Sequence, residues 1–208
     1  MILPPIPPPP NDAPTNTAER TALKEWAVLA RAMGRGEMIA MVRKGGIREQ
    51  RAGFSVRHDR FLLYPTYFHE KAAELQPRFI AALDEAAAER PTPGVIRIEL
   101  VAQVAAVWRV GALESLRGIA HEHGLAWPAV ESRFHYRGEP GVQVVAVRIA
   151  RLAEPIELPE IRRYAGCVSW VELDTDVDVA GARDVIERRE LDDRLARLRD
   201  VLGAPTRD

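Results

Sequence analysis

The segment Val95 to Val110 constrains this chain most. It is rich in β-branched residues and partly alternates through Arg97, Glu99 and Gln103, a pattern that reads as one long strand. Val142 to Leu152 alternates in the same way, with Val144, Ala146, Arg148 and Ala150 out of phase with Val145, Val147 and Ile149. Shorter strands are expected at Met38 to Arg43, closed by Gly45-Gly46, at Phe61 to Tyr64, stopped by Pro65, and at Val168 to Leu173. Helical spacing runs from Thr17, as N-cap, through Ala22, Leu23, Trp26, Leu29, Ala30 and Met33 to Gly34. It recurs over Glu70 to Arg90, interrupted early by Pro77, over Ala112 to Glu122, in a short turn opened by Pro128, and over Gly181 to Leu202. Strands and helices do not alternate strictly. The fold class is therefore α+β, a small and mostly antiparallel barrel-like sheet with flanking helices and a C-terminal helix, and not a doubly wound parallel sheet.

With 208 residues, 47% of them hydrophobic, the chain can bury one sizeable core. Half of the first fourteen residues are proline, so residues 1–16 are expected to form a disordered arm that favours polyproline II. A single α+β domain is expected over residues 17–180, followed by a charged helix and tail over 181–208. The arm has no basic leader pattern, no apolar run approaches the ~20 residues that span a bilayer, and the one cysteine, Cys167, suits a reduced cytosol. A cytoplasmic protein without a membrane role is the expectation.

Lys plus Arg number 29 against 30 acids, which excludes a polycation that coats nucleic acid over its whole surface. Against that balance, Arg43 to Arg60 is locally basic: Arg43, Lys44, Arg48, Arg51, Arg57 and Arg60 face only Glu49 and Asp59. Cations beside a glycine pair suit phosphate. The competing reading is a solvated hairpin whose arginines pair with the acid-rich tail. Directly after comes Phe61-Leu62-Leu63-Tyr64-Pro65-Thr66-Tyr67-Phe68-His69, where aromatic and hydroxyl groups suit an exposed base. Tyr64 and Thr66 share strand parity, so one cleft would receive both. A third group, Ser132 to Gly138, carries Arg133 and Arg137 and would widen the basic rim, unless it is an ordinary helix end.

No phosphate-binding Walker loop, GxGxxG or GxSxG motif is present. The lysines are Lys24, Lys44 and Lys71, none with an acid two residues before it. His121 and His123 fall on different faces of a helical stretch, so neither a metal nor another cofactor is expected. The acids Asp174, Asp176 and Asp178 read as a solvated linker, since an EF-hand glycine and distal glutamate are missing.

Four stretches together resemble a known bacterial and archaeal family, domain of unknown function 1802. They are Ala22-Leu23-Lys24-Glu25-Trp26-Ala27, Arg43-Lys44-Gly45-Gly46-Ile47, Phe61-Leu62-Leu63-Tyr64-Pro65-Thr66 and Tyr164-Ala165-Gly166-Cys167-Val168-Ser169-Trp170-Val171-Glu172-Leu173. The resemblance supplies no activity, but members joined to a restriction-endonuclease domain imply a role beside DNA in host defence. More distantly, the order of elements and the run Val147 to Ile156, with Pro155 before an apolar residue, resemble PUA-like ASCH and EVE domains, which implies a small barrel that binds RNA or modified bases.

These readings converge on a non-catalytic nucleic-acid-binding module for DNA or RNA, with a modified base as one form of ligand. Arg43, Lys44, Arg48 and Arg60 would neutralise phosphates; Tyr64, Thr66 and His69 would line the base pocket; Arg133 and Arg137 would extend the rim. Two alternatives stand beside it. One is a small hydrolase, amidohydrolase or nuclease, that joins Lys44, Thr66 and an acid such as Glu99. The other is an interaction subunit that docks a protein partner through its C-terminal helix.

Overall fold

The computed structural model describes residues 17–44, 56–68, 70–166 and 168–207. Seven strands form one sheet: β1 (Ala18–Trp26), β2 (Ala40–Arg43), β3 (Arg60–Thr66), β4 (Val95–Val110), β5 (Val142–Pro159), β6 (Trp170–Asp178) and β7 (Arg183–Asp184). The order is β2-β5-β4-β3-β1-β6, and β7 pairs with β5. Every pairing is antiparallel except β1 with β3. The sheet is mixed with helices α1 (Ala27–Gly34), α2 (Pro77–Ala88), α3 (Ser115–Gly118), α4 (Trp127–Phe134) and α5 (Arg188–Leu202), and it does not close into a barrel. The α+β, mostly antiparallel class read from the sequence is thus the one observed.

The β4–β5 hairpin is the spine. Register holds from Val95↔Pro159 to Ile98↔Ile156, then resumes at Leu100↔Arg151, so residues 152–155 oppose Glu99 alone. Pro155, which has no N–H to give a ladder, falls in this bulge. The bulge also changes which side chains face which core. Ile96 and Ile98 belong to a smaller cluster with Leu62, Tyr64, Tyr164 and Leu173, whereas Leu100 and Ala102 belong to the main one. Strands in the middle are covered on both faces.

That double coverage explains the main correction to the sequence reading. Residues 18–26 are strand, not the first half of a helix, and the helix begins only at Ala27. β1 lies between β3 and β6, with Ala22 in the minor core and Leu23 in the major one. A strand buried on both sides loses its alternation, and apolar residues at 22, 23 and 26 then imitate helical spacing. Trp26 gives the new helix no side-chain cap; Glu70, from the loop after β3, accepts the Val28 N–H at 3.0 Å instead. Pro77 does not interrupt a helix but starts α2 at its first position, where its missing N–H costs nothing. The acids Asp174, Asp176 and Asp178 are not a linker; they continue β6 as its exposed edge.

The C-terminal helix belongs to the core. Leu191, Leu195 and Leu198 are buried in the main cluster, and the buried Arg194 grips the buried Glu122, with its Nε 3.0 Å from both carboxylate oxygens. A further bond runs from Arg194 Nη1 to the Gly36 carbonyl at 2.7 Å. The apolar stripe that a docking helix would offer to another protein is therefore covered by its own domain, which removes the basis for that alternative. No helix among the described residues is long and apolar enough to cross a membrane.

Candidate functional site

The end of β3 builds two cavities at once. Strand alternation sends Tyr64, Thr66 and the following Phe68 into a cavity of about 380 Å³, while Leu63 lines a second one of about 250 Å³ on the α1 side. Pro65 and Tyr67 line both and form the ridge between them.

The first cavity is walled by aromatic and apolar groups. Tyr64 is buried, and its hydroxyl donates to Glu160 Oε1 at 3.3 Å; burial and then the Glu160 charge push the phenol well above its ordinary range, so it stays a neutral donor. Lys24 reaches the carbonyls of Tyr164 and, at 3.1 Å, Gly166, and sits 5.3 Å from the centre of the Tyr64 ring. Arg90 lies over the Tyr67 ring at 5.0 Å, and its guanidinium makes no hydrogen bond or ion pair among the described residues. At the rim, Phe68 is 68% exposed, an unusual cost for a phenyl ring that nothing in the core requires.

Across the loop 165–169 lies a cationic cluster. Ala165, Gly166 and Val168 line the aromatic cavity, and Ser169 lines a cavity of about 260 Å³ with Arg43, Lys44, Ser132, Arg133 and Tyr136. β1 and β2 are four strands apart in the sheet, yet its curl brings Arg43 Nη1 to within 3.2 Å of the buried Glu25 Oε2. The other Glu25 oxygen accepts the Trp26 N–H at 2.9 Å. Arg133, from α4, donates to the Val42 carbonyl at 3.0 Å and lies 5.5 Å from the Trp26 ring. Burial pulls its pKa down and Glu25 opposes that shift. The cluster joins the aromatic cavity through Thr66, which pairs with Trp26 and donates to the Glu25 carbonyl at 3.3 Å. One carboxylate among three cations leaves the surface positive. An adjoining cavity of about 420 Å³ that Arg43 and Lys44 also line adds Arg109 and one further carboxylate, Glu139.

Several expected site residues are placed differently. Arg60 sits at the opposite end of β3 from Thr66, bonded to Glu19 Oε2 and the Ala18 carbonyl at 3.1 Å each, so it stands apart from both cavities. Glu19, like the Glu25 that holds Arg43, comes from β1. Lys44 is in the cluster, but its three donors go to the carbonyls of Glu139, of Gly141 at 2.6 Å and of Phe134 at 3.3 Å. It contributes charge and holds the turn after α4; it has no donor left for a phosphate. Arg48, His69 and the side chain of Arg137 lie outside the described residues.

The hydrolytic arrangement of Lys44, Thr66 and Glu99 does not assemble: the three line separate cavities, and Glu99 pairs with Arg151 at 3.3 Å. Among the described residues no group of three His, Cys, Asp or Glu side chains converges to hold a metal. Sequence reasoning missed Lys24, Glu25, Trp26 and Arg90, and placed Phe68 in the aromatic stretch without singling it out. The first three lie in one motif stretch, which was a usable signal; Arg90, past the end of α2, gave none.

No curated protein matches the chain. Among solved structures it is similar to an ASCH protein from Zymomonas mobilis, with 16% identity and a TM-score of 0.43 over 85% of this chain and 92% of that one. A serine-to-alanine variant of the Zymomonas mobilis protein aligns at 14% identity and a TM-score of 0.44, over 88% of this chain and 97% of the other. Residues 22–197, which hold both cavities and the cationic cluster, match a family throughout: the chain belongs to the family described as domain of unknown function 1802.

Proposed function

We propose that the chain is a nucleic-acid-binding module that takes one unpaired or modified base into the cavity beneath Phe68. The observation that carries this reading is the adjacency of an aromatic-walled cavity to the Arg43–Arg133 cluster across the 165–169 loop. Base faces stack on aromatic rings and backbone phosphates seek arginine; a surface that offers both side by side suits a single-stranded or extruded nucleotide. The pocket also offers groups for a base edge: the Thr66 and Tyr64 hydroxyls, whose protons go to the Glu25 carbonyl and Glu160, and the Glu160 carboxylate are acceptors for the amino and imino N–H of a base. A role beside DNA in host defence, which the family resemblance implies, is one setting for such a reader.

Titration of fluorescent single- and double-stranded DNA and RNA, with and without modified bases, at two salt concentrations tests the reading. Phe68→Ala removes an exposed ring and leaves the core intact. It should weaken binding by about 1–3 kcal/mol, roughly 5- to 150-fold, with the salt slope unchanged. Arg133→Gln with Arg109→Ala should weaken every sequence alike and flatten the slope. Wild-type affinity in Phe68→Ala would dismiss the base pocket.

A further inference from the structure

The cavity on the α1 side of the Pro65–Tyr67 ridge has no part in the reading above. It is lined by Arg31 from α1, Arg35 just past the end of that helix, Arg97 from β4 and Arg151 from β5, over a floor that includes Leu63 and Leu100. Two lining carboxylates answer two of these cations: Glu89 pairs with Arg31 and Glu99 with Arg151. The partners of Arg35 and Arg97, Glu85 and Glu157, stand outside the cavity, at 2.7 Å in both cases. Four arginines thus line the cavity against two carboxylates, and the balancing acids, Glu85, which also reaches Arg31 at 3.5 Å, Glu37 at 4.0 Å from Arg35, and Glu157, lie outside it. Both outer pairs are solvent-exposed, with Arg35 and Arg97 each more than 40% accessible, and such pairs exchange easily with another anion. Gly34 lets this wall pack closely: Arg151 Nη2 donates to its carbonyl at 2.7 Å, and a Cβ there would come within 3.1 Å of both Arg151 Nη2 and Leu100 Cδ1. The ridge is itself cationic, because Arg90 lies on Tyr67, and among the described residues its guanidinium bonds to no other group.

We infer that the two cavities flanking Tyr67 form one bipartite site, in which the aromatic side takes the base of a nucleotide and the α1 side takes the phosphate attached to that same nucleotide. Arg90 on the ridge and Arg35 and Arg97 beyond it are the phosphate donors. The ligand is thus a phosphorylated nucleoside unit, free or at an unpaired position in a strand, and not a nucleobase or nucleoside alone. This rests on the base-binding reading and adds to it a second contact, independent of the Arg43–Arg133 cluster.

Calorimetric titration of nucleosides and their 5′- and 3′-monophosphates against the full chain tests it. One of the two monophosphates should bind at least tenfold tighter than its nucleoside. The Arg35→Gln, Arg97→Gln double variant should lose that advantage and retain nucleoside affinity, with circular dichroism to confirm the fold. Equal affinity for nucleoside and both monophosphates overturns the bipartite site and leaves the base pocket standing. An equal loss for nucleoside and monophosphate in the folded double variant also overturns it. No nucleoside binding at any concentration overturns the base pocket, and the inference falls with it.

Discussion

Glu25→Gln should move stability and ligand affinity in opposite directions. The carboxylate is only 6% exposed, fixed by the Trp26 N–H and Arg43, and it lies within the cationic cluster. In the variant an amide oxygen still serves Trp26, but an amide N–H₂ then faces the Arg43 guanidinium, donor against donor. Breaking a buried pair by removing one partner costs about 3–5 kcal/mol when the remaining charge stays dry. Arg43 retains some solvent contact, 13% of its side chain, so the lower end of that range, about 3 kcal/mol, is expected. With a urea m-value of about 2 kcal/mol per molar, the midpoint should fall by roughly 1.5 M. Affinity should rise. A phosphate on the outer side of Arg43 would sit ~7 Å from Glu25, where one unit charge contributes about 0.6 kcal/mol at a dielectric of 80 and about 2.4 kcal/mol at 20. Removal of that repulsion predicts roughly a 3- to 60-fold gain for single-stranded oligonucleotides at low salt, reduced as salt screens it. Urea unfolding and fluorescence anisotropy on the same preparation measure both quantities. A folded Glu25→Gln protein that binds no tighter than wild type would refute the placement of phosphate at Arg43 and Arg133.

Lys44→Met should orphan the carbonyls of Phe134, Glu139 and Gly141 and cost about 1–3 kcal/mol in unfolding free energy. It should leave the salt slope of binding unchanged, because the three Lys44 donors are taken by carbonyls; a slope reduced by about 0.7, the value of one single-strand contact, would contradict that. His123 is 2% exposed, and burial holds its imidazole down to about 4 from an ordinary 6.5. Its unfolded form takes a proton first, so stability is complete above about pH 6.5 and declines towards pH 4, by about 3 kcal/mol in all. His123→Asn, which keeps an acceptor for the Leu125 N–H now bonded to Nδ1 at 3.2 Å, should flatten that decline in urea midpoints. An imidazole that titrates by NMR near pH 6.5 in the folded protein would overturn the assignment.

The strands were legible where one face is wet and illegible where both are dry. β4 announced itself because Arg97, Gln103 and Arg109 interrupt its apolar residues at outward positions. β1 did not, since Ala22 and Leu23 point into different cores and both are fully buried. The β5 extension to Pro159 was hidden by Pro155, which reads as a stop until the bulge opposite Glu99 accommodates it. β7 and the capping role of Glu70 depend on contacts across long separations, Ala150 with Asp184 and Val28 with Glu70, and no local pattern encodes them.

The site shows the same division, with one informative twist. Charge density singled out Arg43, Lys44 and Arg60 together, yet only the fold assigns each its work: Arg43 to a buried carboxylate at the mouth of a cavity, Lys44 to three carbonyls, Arg60 to Glu19 at the far end of β3. Proximity in sequence was a poor guide to shared function because a strand of seven residues separates its ends by about 20 Å. The motif stretches were the better guide. Lys24, Glu25 and Trp26 come from the first, Arg43 and Lys44 from the second, Tyr64 and Thr66 from the third, and Tyr164, Gly166 and Ser169 from the fourth. In space they are joined by direct contacts: Lys24 to the Tyr164 and Gly166 carbonyls, Glu25 to Arg43, and Thr66 to the Glu25 backbone. A core needs apolar volume and tolerates exchange among residues that supply it. The groups these stretches bring together are instead an ammonium, a buried carboxylate, a guanidinium and a hydroxyl, each costly to bury and each bonded to another stretch. Such an assembly is expensive as architecture alone, and its position between an aromatic cavity and a cationic one is where a ligand would repay it.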